Sequence, residues 1–233
     1  MKVSIIIPVL NEEFAIREKL PNMQWVRESG HELIVVDGGS TDNSLYIANK
    51  YADSTISTSQ GRAVQMNAGA KIASGDVLLF LHIDTLLPEN GINSILTFLS
   101  SANGKDFDKA GEIWGRFDVR LSGKHIMFRI IEFMMNWRSR MTGIATGDQA
   151  IFITRHLFMR IGGYKEIPLM EDIEICRRLN KNSKPVCIDR CVIASSRHWE
   201  SFGIYRTVFL MWRLRLSYWL GVDPLRLAKQ YYG

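Results

Sequence analysis

The sequence predicts an α/β fold, a doubly wound mixed sheet of Rossmann-like type with helices on both faces. Short, largely apolar runs recur at Val3–Pro8, Leu33–Val36 and Val77–Leu81, as in strands buried on both faces. Segments with helical spacing separate them, giving a βαβαβαβ rhythm. Polar residues stand directly after the strands: Asn11-Glu12, Asp37 and Asp84. Open α/β sheets bind ligands outside the carboxyl ends of their strands. One polar strand exit is commonplace; three on one edge mark a site.

The elements follow in order. After the first strand, Asn11-Glu12-Glu13 opens a helix to about Arg27, with Ile16, Leu20 and Met23 on one stripe and a kink or split at Pro21. The second strand ends in Asp37-Gly38-Gly39-Ser40, a tight turn with a ready N-cap, before a helix to about Tyr51. A short strand at Asp53–Ser57 and a helix rich in small residues at Gly61–Ala73 follow. The strand from Val77 then breaks into His82-Ile83-Asp84-Thr85, and Pro88 places a helix start near Glu89. The pattern changes after about residue 103. Glu112–Leu121 alternates like a half-exposed strand, and Lys124–Met141 reads as a long helix with Ile126, Ile130, Phe133, Trp137 and Met141 on one face. A strand at Asp148–Thr154, a helix at Arg155–Ile161, a Gly162-Gly163-Tyr164 turn, a helix from Met170 to Leu179 and a strand at Val186–Ala194 complete the domain. Two helices, Phe202–Leu220 and Pro224–Tyr232, close the sequence.

The chain has 233 residues, 46% of them hydrophobic, enough for one large domain with a substantial core. Its net charge of +5 favours anionic partners. The three cysteines, Cys176, Cys187 and Cys191, imply a reducing compartment rather than a disulfide framework. The N-terminus enters a strand at once, with no signal-peptide pattern, and no apolar run is long enough to span a bilayer. A cytoplasmic location is the expectation.

Five motifs give these observations a family. They are SIIIPVLNEE (Ser4–Glu13), VVDGGSTDNS (Val35–Ser44), GRAVQMNAGA (Gly61–Ala70), LHIDT (Leu81–Thr85), and GDQAIFITR…IGGY…LMEDIEICRRL ending at Leu179. Together and in this order, across about three quarters of the chain, they make it resemble a family 2 glycosyltransferase of GT-A fold, of the compact bacterial type. The resemblance implies a GT-A domain over residues 1–200, with a nucleotide-binding half (1–103), an acceptor-side half (104–200) and an amphipathic helical extension (201–233).

It also implies site residues. Asp37 would take the nucleobase, its carboxylate accepting the imide N–H of uracil. Pro8, Asn11, Glu12, Gly61, Arg62, Asn67 and His82 would border the nucleotide. Asp84 would ligate Mg²⁺ or Mn²⁺, with His198 a further candidate ligand. The family's usual Asp-x-Asp has His82 in its first position here, and many members carry a second Asp where this chain has Gly38. Asp172, beside Glu171, would be the base that takes the acceptor proton in an inverting transfer. Gly147, Asp148 and Gln149 match the acceptor-side loop. Each residue also has a plainer reading: turn formation for Asp37, capping for Asn11, a dipole-matched helix start for Glu171-Asp172.

The implied partners are a nucleotide-sugar donor, most simply a UDP-sugar, and a hydroxyl acceptor that is lipid-linked or soluble, with no role for nucleic acid. The Tyr205–Leu220 helix sets Phe209, Trp212, Leu216, Trp219 and Leu220 on one face. That face fits docking on the domain or a homodimer interface first, and peripheral contact with an anionic membrane second. Two alternatives to an active transferase stay open. One is a non-catalytic nucleotide-sugar-binding or membrane-docking relative. The other is a nucleotidyltransferase, disfavoured because PVLNEE follows the first strand where a Gly-rich triphosphate loop belongs.

Overall fold

The structure, a computed structural model, describes residues 1–102 and 112–232. The boundary drawn between the two halves at residue 103 lies outside the described residues. Seven strands form one sheet: β1 (Val3–Val9), β2 (Glu32–Asp37), β3 (Ser54–Ser57), β4 (Val77–Phe80), β5 (Trp114–Leu121), β6 (Ile151–Thr154) and β7 (Val186–Ala194), in the order β3-β2-β1-β4-β6-β5-β7. β1 pairs in parallel with β2 and β4, β2 with β3, and β5 with β7. Among the described strands only β6 is reversed, antiparallel to β4 and to β5.

Alternate residues of the buried strands feed two apolar layers. On one face Ile5 and Ile7 meet α1 (Glu13–Lys19), α3 (Ser44–Tyr51), α5 (Gly91–Ala102) and α6 (Ile126–Thr142) through Ile16, Ile47, Ile95 and Phe128. On the other, Ile6 and Val36 meet α4 (Arg62–Ile72), α7 (Arg155–Arg160) and α8 (Glu171–Leu179) through Met66, Ala70, Phe158 and Ile175. Gly69 lets α4 lie close on β1, because a Cβ there would stand 2.5 Å from Ile6 Cγ2. Pro21 splits the first helix as expected: a 3₁₀ turn at Leu20–Met23 separates α1 from α2 (Gln24–Glu28).

Three expectations need correction. β5 is not half-exposed; only Arg120 of its eight residues is exposed. Its polar residues are buried because α6 covers them. Arg116 is fully buried against Asp118, which also accepts from Arg140 of α6 at 2.6 Å. The helix expected at Phe202–Leu220 is α10 (Ile204–Trp219); Phe202 instead ends a separate short helix, α9 (Arg197–Phe202), with the break at Gly203, φ +87°. The apolar faces of α6 and α10 are not docked on the domain. Trp137 of α6 is 52% exposed, and Phe209 and Trp219 of α10 are each 71% exposed. The opposite faces do the packing. Phe128, Ile131 and Met135 of α6 join Ile204 and Val208 of α10 in one layer. Leu210 and Leu214 of α10 close a third cluster with Met170, Ile173 and Leu227 of α11 (Pro224–Tyr232). No helix among the described residues is long and apolar enough to cross a membrane.

Candidate active site

The parallel strands β2, β1 and β4 deliver their carboxyl ends to one edge. Asp37 closes β2, Asn11 and Glu12 follow β1, and His82 and Asp84 follow β4. β2 and β4 flank β1, so their exits stand about 10 Å apart, two inter-strand spacings. The reversed strand β6 runs away from this edge, so the segment before it, Gly147–Gln149, also lies there.

Asp37 is almost fully buried. Its Oδ2 accepts from the Gly39 and Ser40 amides at 2.9 and 3.0 Å, fixing the turn, while Oδ1 is buried with no hydrogen-bond partner among the described residues. An orphaned acceptor is costly, which makes it a candidate ligand contact. Behind it Gln65 donates to the Val9 and Val36 carbonyls and fills the space beside Gly38, 3.1 Å from where a Cβ would stand.

Glu12 and Asp84 face each other electrostatically. Burial first, then the charge of Asp84, pushes the Glu12 carboxyl above the usual range against the pull of Arg197 and Arg62. Arg62 opens α4 and projects into the cleft, walled in by its surroundings yet open to water at the mouth. Its own burial is outweighed by the charge of Glu171 and by Tyr232, Tyr231 and Asp148, which hold its pKa up.

His82 and Asp148 meet at 3.5 Å. Gly147 makes that approach possible, since a Cβ there would stand 2.5 Å from His82 Nε2. Burial works to raise the Asp148 carboxyl, but its hydrogen bond to His82 and the charges of His82, Arg62 and Arg215 bring it below the ordinary value. Asp172 Oδ2 accepts from the Gly147 amide at 3.2 Å, and Oδ1 from the Ile173 amide at 2.7 Å. Glu171 is buried beside it, and burial followed by the charge of Asp172 raises its carboxyl despite Arg62. His82, Gly147, Glu171 and Asp172 line one cavity floored by Met66, Phe80 and Tyr164.

Several residues named from sequence serve the frame. Asn67 spends its side chain on Tyr164, donating to its carbonyl and accepting from its amide, each at 2.9 Å. Gln149 is fully buried and donates to Ser139 of α6 at 3.0 Å. Asn11 adopts a positive φ of 52° and ties β1 to the next turn, accepting from the Thr41 amide at 2.8 Å. Pro8 lies within β1, and Gly61 caps α4. His198 lies against the rings of Phe202 and Tyr231, with centroids 4.7 and 5.9 Å away. Three residues that the sequence reading passed over border the cleft. Tyr231 brings α11 over Arg62 and His198, and Arg138 and Arg215 lie within electrostatic reach of Asp172.

Among the described residues no three His, Cys, Asp or Glu side chains gather into a metal cage. A hard divalent cation bridging two phosphates needs only one or two protein carboxylates, with water and phosphate oxygens completing its shell. The mutually repelling Asp84 and Glu12 fit that requirement.

Comparison with known proteins then defines the class. A mostly parallel sheet with one reversed strand and a cleft at the exits of β1, β2 and β4 is the GT-A fold of nucleotide-sugar transferases. Staphylococcus aureus TarS 1–349, solved with UDP, superposes with a TM-score of 0.67 at 20% identity, over 84% of this chain and 60% of that one. The mannosyltransferase PcManGT of Pyrobaculum calidifontis, solved with GDP-Man and Mn²⁺, gives 0.57 at 20% identity, over 82% and 56%. The chain belongs to glycosyl transferase family 2, whose model matches residues 4–160. A PGL/p-HBAD biosynthesis glycosyltransferase of Mycobacterium bovis is 32% identical over 69% of this chain. The chain spans 62% of that relative's length.

Proposed function

We propose that the chain transfers a sugar from a nucleotide-sugar donor, most simply a UDP-sugar, to an acceptor hydroxyl with inversion at the anomeric carbon. One observation carries the reading: Asp172, anchored by the Gly147 amide, shares a cavity with His82 and Glu171 beside Arg62. Asp37 Oδ1 then receives the imide N–H of the base, and Arg62 the diphosphate. Asp84, helped by Glu12, holds Mg²⁺ or Mn²⁺. When bound, the cation supplies charge stabilisation of the departing diphosphate. Two solved neighbours support a nucleotide-diphosphate donor, one with UDP-GlcNAc and one with GDP-Man and Mn²⁺.

The chemistry asked of the protein is small. The acceptor oxygen forms its bond to the anomeric carbon as the carbon–phosphate oxygen bond breaks, and the hydroxyl proton passes to Asp172. Two amide donors fix the Asp172 carboxylate in place, which is the positioning such a base requires. His82, where the family carries an acid, holds Asp148 and with it the acceptor-side loop.

We assign the outward faces of α6 and α10 to peripheral contact with an anionic membrane. α10 carries the exposed Arg206 and Arg213 and no acid along its whole length. Two copies meeting through this face would bring like charges together, whereas an acidic lipid surface answers them.

Asp172→Asn tests the base. Transfer or hydrolysis of UDP-sugars should fall by roughly 10²–10⁴-fold, the usual contribution of a general base, while titrated UDP still binds as tightly. Normal turnover by the variant would refute the assignment.

A further inference from the structure

Arg138 of α6 and Arg215 of α10 have no task in the donor chemistry. Nε and Nη2 of Arg138 are buried with no hydrogen-bond partner among the described residues. Two other covered arginines are paired, Arg116 with Asp118 and Arg178 with Glu174. Packing brings Arg138 and Arg215 to the same side of the cleft. Asn136 and Ser139, on either side of Arg138 in sequence, contact Gln149 of the acceptor-side loop. Leu214, next to Arg215, packs with Met170 and Ile173, the residues flanking Glu171-Asp172.

Each guanidinium feels the charge of Asp172, and Arg215 also that of Asp148. Asp172 accepts from two amides, and no hydrogen bond joins it to either arginine among the described residues. Burial, then repulsion from Arg215, holds the Arg138 pKa down at about 10, and burial lowers that of Arg215 against the pull of Asp172 and Asp148. Two desolvated, mutually repelling cations that form no ion pair with Asp172 or Asp148 among the described residues are unfavourable unless an anion joins them. A phosphate suits two forked guanidinium groups.

We propose that Arg138 and Arg215 form an anion subsite on the acceptor side of Asp172, and that the acceptor carries a phosphate group. The inference rests on the reading of Asp172 as the acceptor-side base. The phosphate belongs either to a lipid or to a soluble molecule. The helices that supply the arginines also present the outward apolar faces, so a lipid phosphate enters along the surface they make. The subsite holds the acceptor phosphate while its hydroxyl faces Asp172.

The test uses the full chain saturated with UDP and Mn²⁺, so that the donor's phosphate positions are filled. Octyl phosphate, octyl β-glucoside and inorganic phosphate are titrated calorimetrically. Octyl phosphate should bind at least about tenfold more tightly than the neutral glucoside. Arg138→Gln and Arg215→Gln should each weaken it by about tenfold, the usual loss for a charge-assisted hydrogen bond, and leave UDP affinity unchanged. Arg138→Lys and Arg215→Lys, which keep the charge, should recover part of the loss and guard against a folding artefact.

Flotation with vesicles of phosphatidylcholine, with and without phosphatidic acid, separates the two sources. Retention that needs phosphatidic acid and falls in Arg215→Gln assigns a lipid phosphate. Binding of inorganic phosphate without vesicle retention assigns a soluble one. A role confined to orienting Asp172 would lower turnover and leave octyl phosphate affinity unmoved in both Gln variants. That result, or equal affinity for octyl phosphate and octyl glucoside, overturns the subsite. Failure of the unaltered protein to bind UDP would instead overturn the donor reading, and octyl phosphate titrated alone would still decide the subsite.

Discussion

Around Asp37 the chain answers nearly all of its own polar groups. Asp37 holds two amides of its turn, Asn11 holds Thr41, the Ser44 hydroxyl accepts from the Glu12 amide, and Asp42 accepts from the Glu13 and Ser44 amides. One carboxylate oxygen is left over. Around Asp172 the balance differs. Arg138 is left unpaired in a covered position, and the helices overhead turn aromatic residues outward. On the proposed reading, the donor end is set beforehand for a small ligand of fixed shape, and the acceptor end is completed by an anion that the described residues do not supply.

Three substitutions probe this contrast, in addition to the variants at Asp172, Arg138 and Arg215. Asp118→Asn should act most strongly on stability. It leaves Arg116 buried without its carboxylate and takes from Arg140 the nearer of its two partners, Asp189 at 3.6 Å remaining, a loss of about 3–5 kcal/mol. Denaturant midpoints should drop accordingly, and amide exchange should show α6 and β5 loosening before β1 and β2. Uniform loosening would mean that the two ends do not differ in this way.

Asp37→Asn comes next. An Asn keeps an acceptor oxygen for the Gly39 and Ser40 amides but turns a donor toward the orphan position. UDP affinity should fall by roughly 10- to 100-fold, as when a charge-assisted hydrogen bond is lost, with little change in melting temperature. Equal affinity would detach Asp37 from the nucleobase.

Glu171→Gln is the smallest. Burial, then Asp172, raises the Glu171 carboxyl in the folded state, so the native protein holds that proton more tightly than the unfolded chain does. The stability this confers is fully present below the ordinary glutamate range and is lost as pH rises through the elevated folded value. The Gln variant should therefore match the parent near pH 4 and exceed it near pH 8, by on the order of 1 kcal/mol. Melting curves across that range test the sign, and a variant less stable at pH 8 would contradict it.

Much of the frame was legible in the sequence because local and tertiary signals agreed. Doubly buried strands need largely apolar runs, and β1, β2 and β4 have them. Pro21 breaks a helix wherever it falls. The edge carrying Asp37, Asp84 and Glu12 follows from strand direction alone. The misread elements are those whose surroundings outvote their pattern. Arg116 and Asp118 alternate with apolar residues as solvent-facing groups do, and only the cover of α6 turns them into a buried pair. Asn67 and Gln149 stand in matching motifs, yet their amides brace Tyr164 and Ser139. Arg138 and Arg215 look like ordinary surface charges on amphipathic helices. Their meeting beside Asp172 depends on packing between segments far apart in the chain.

The lone reversed strand has one more consequence. β4 and β6 pair with Phe80 opposite Ile151, and just past that rung His82 meets Asp148. A slide of two residues would keep each side chain on its own face but carry Asp148 roughly 7 Å along the ladder from His82. Assembly of the sheet thus also fixes how these two strand ends face each other, and the imidazole–carboxylate pair serves as its vernier mark.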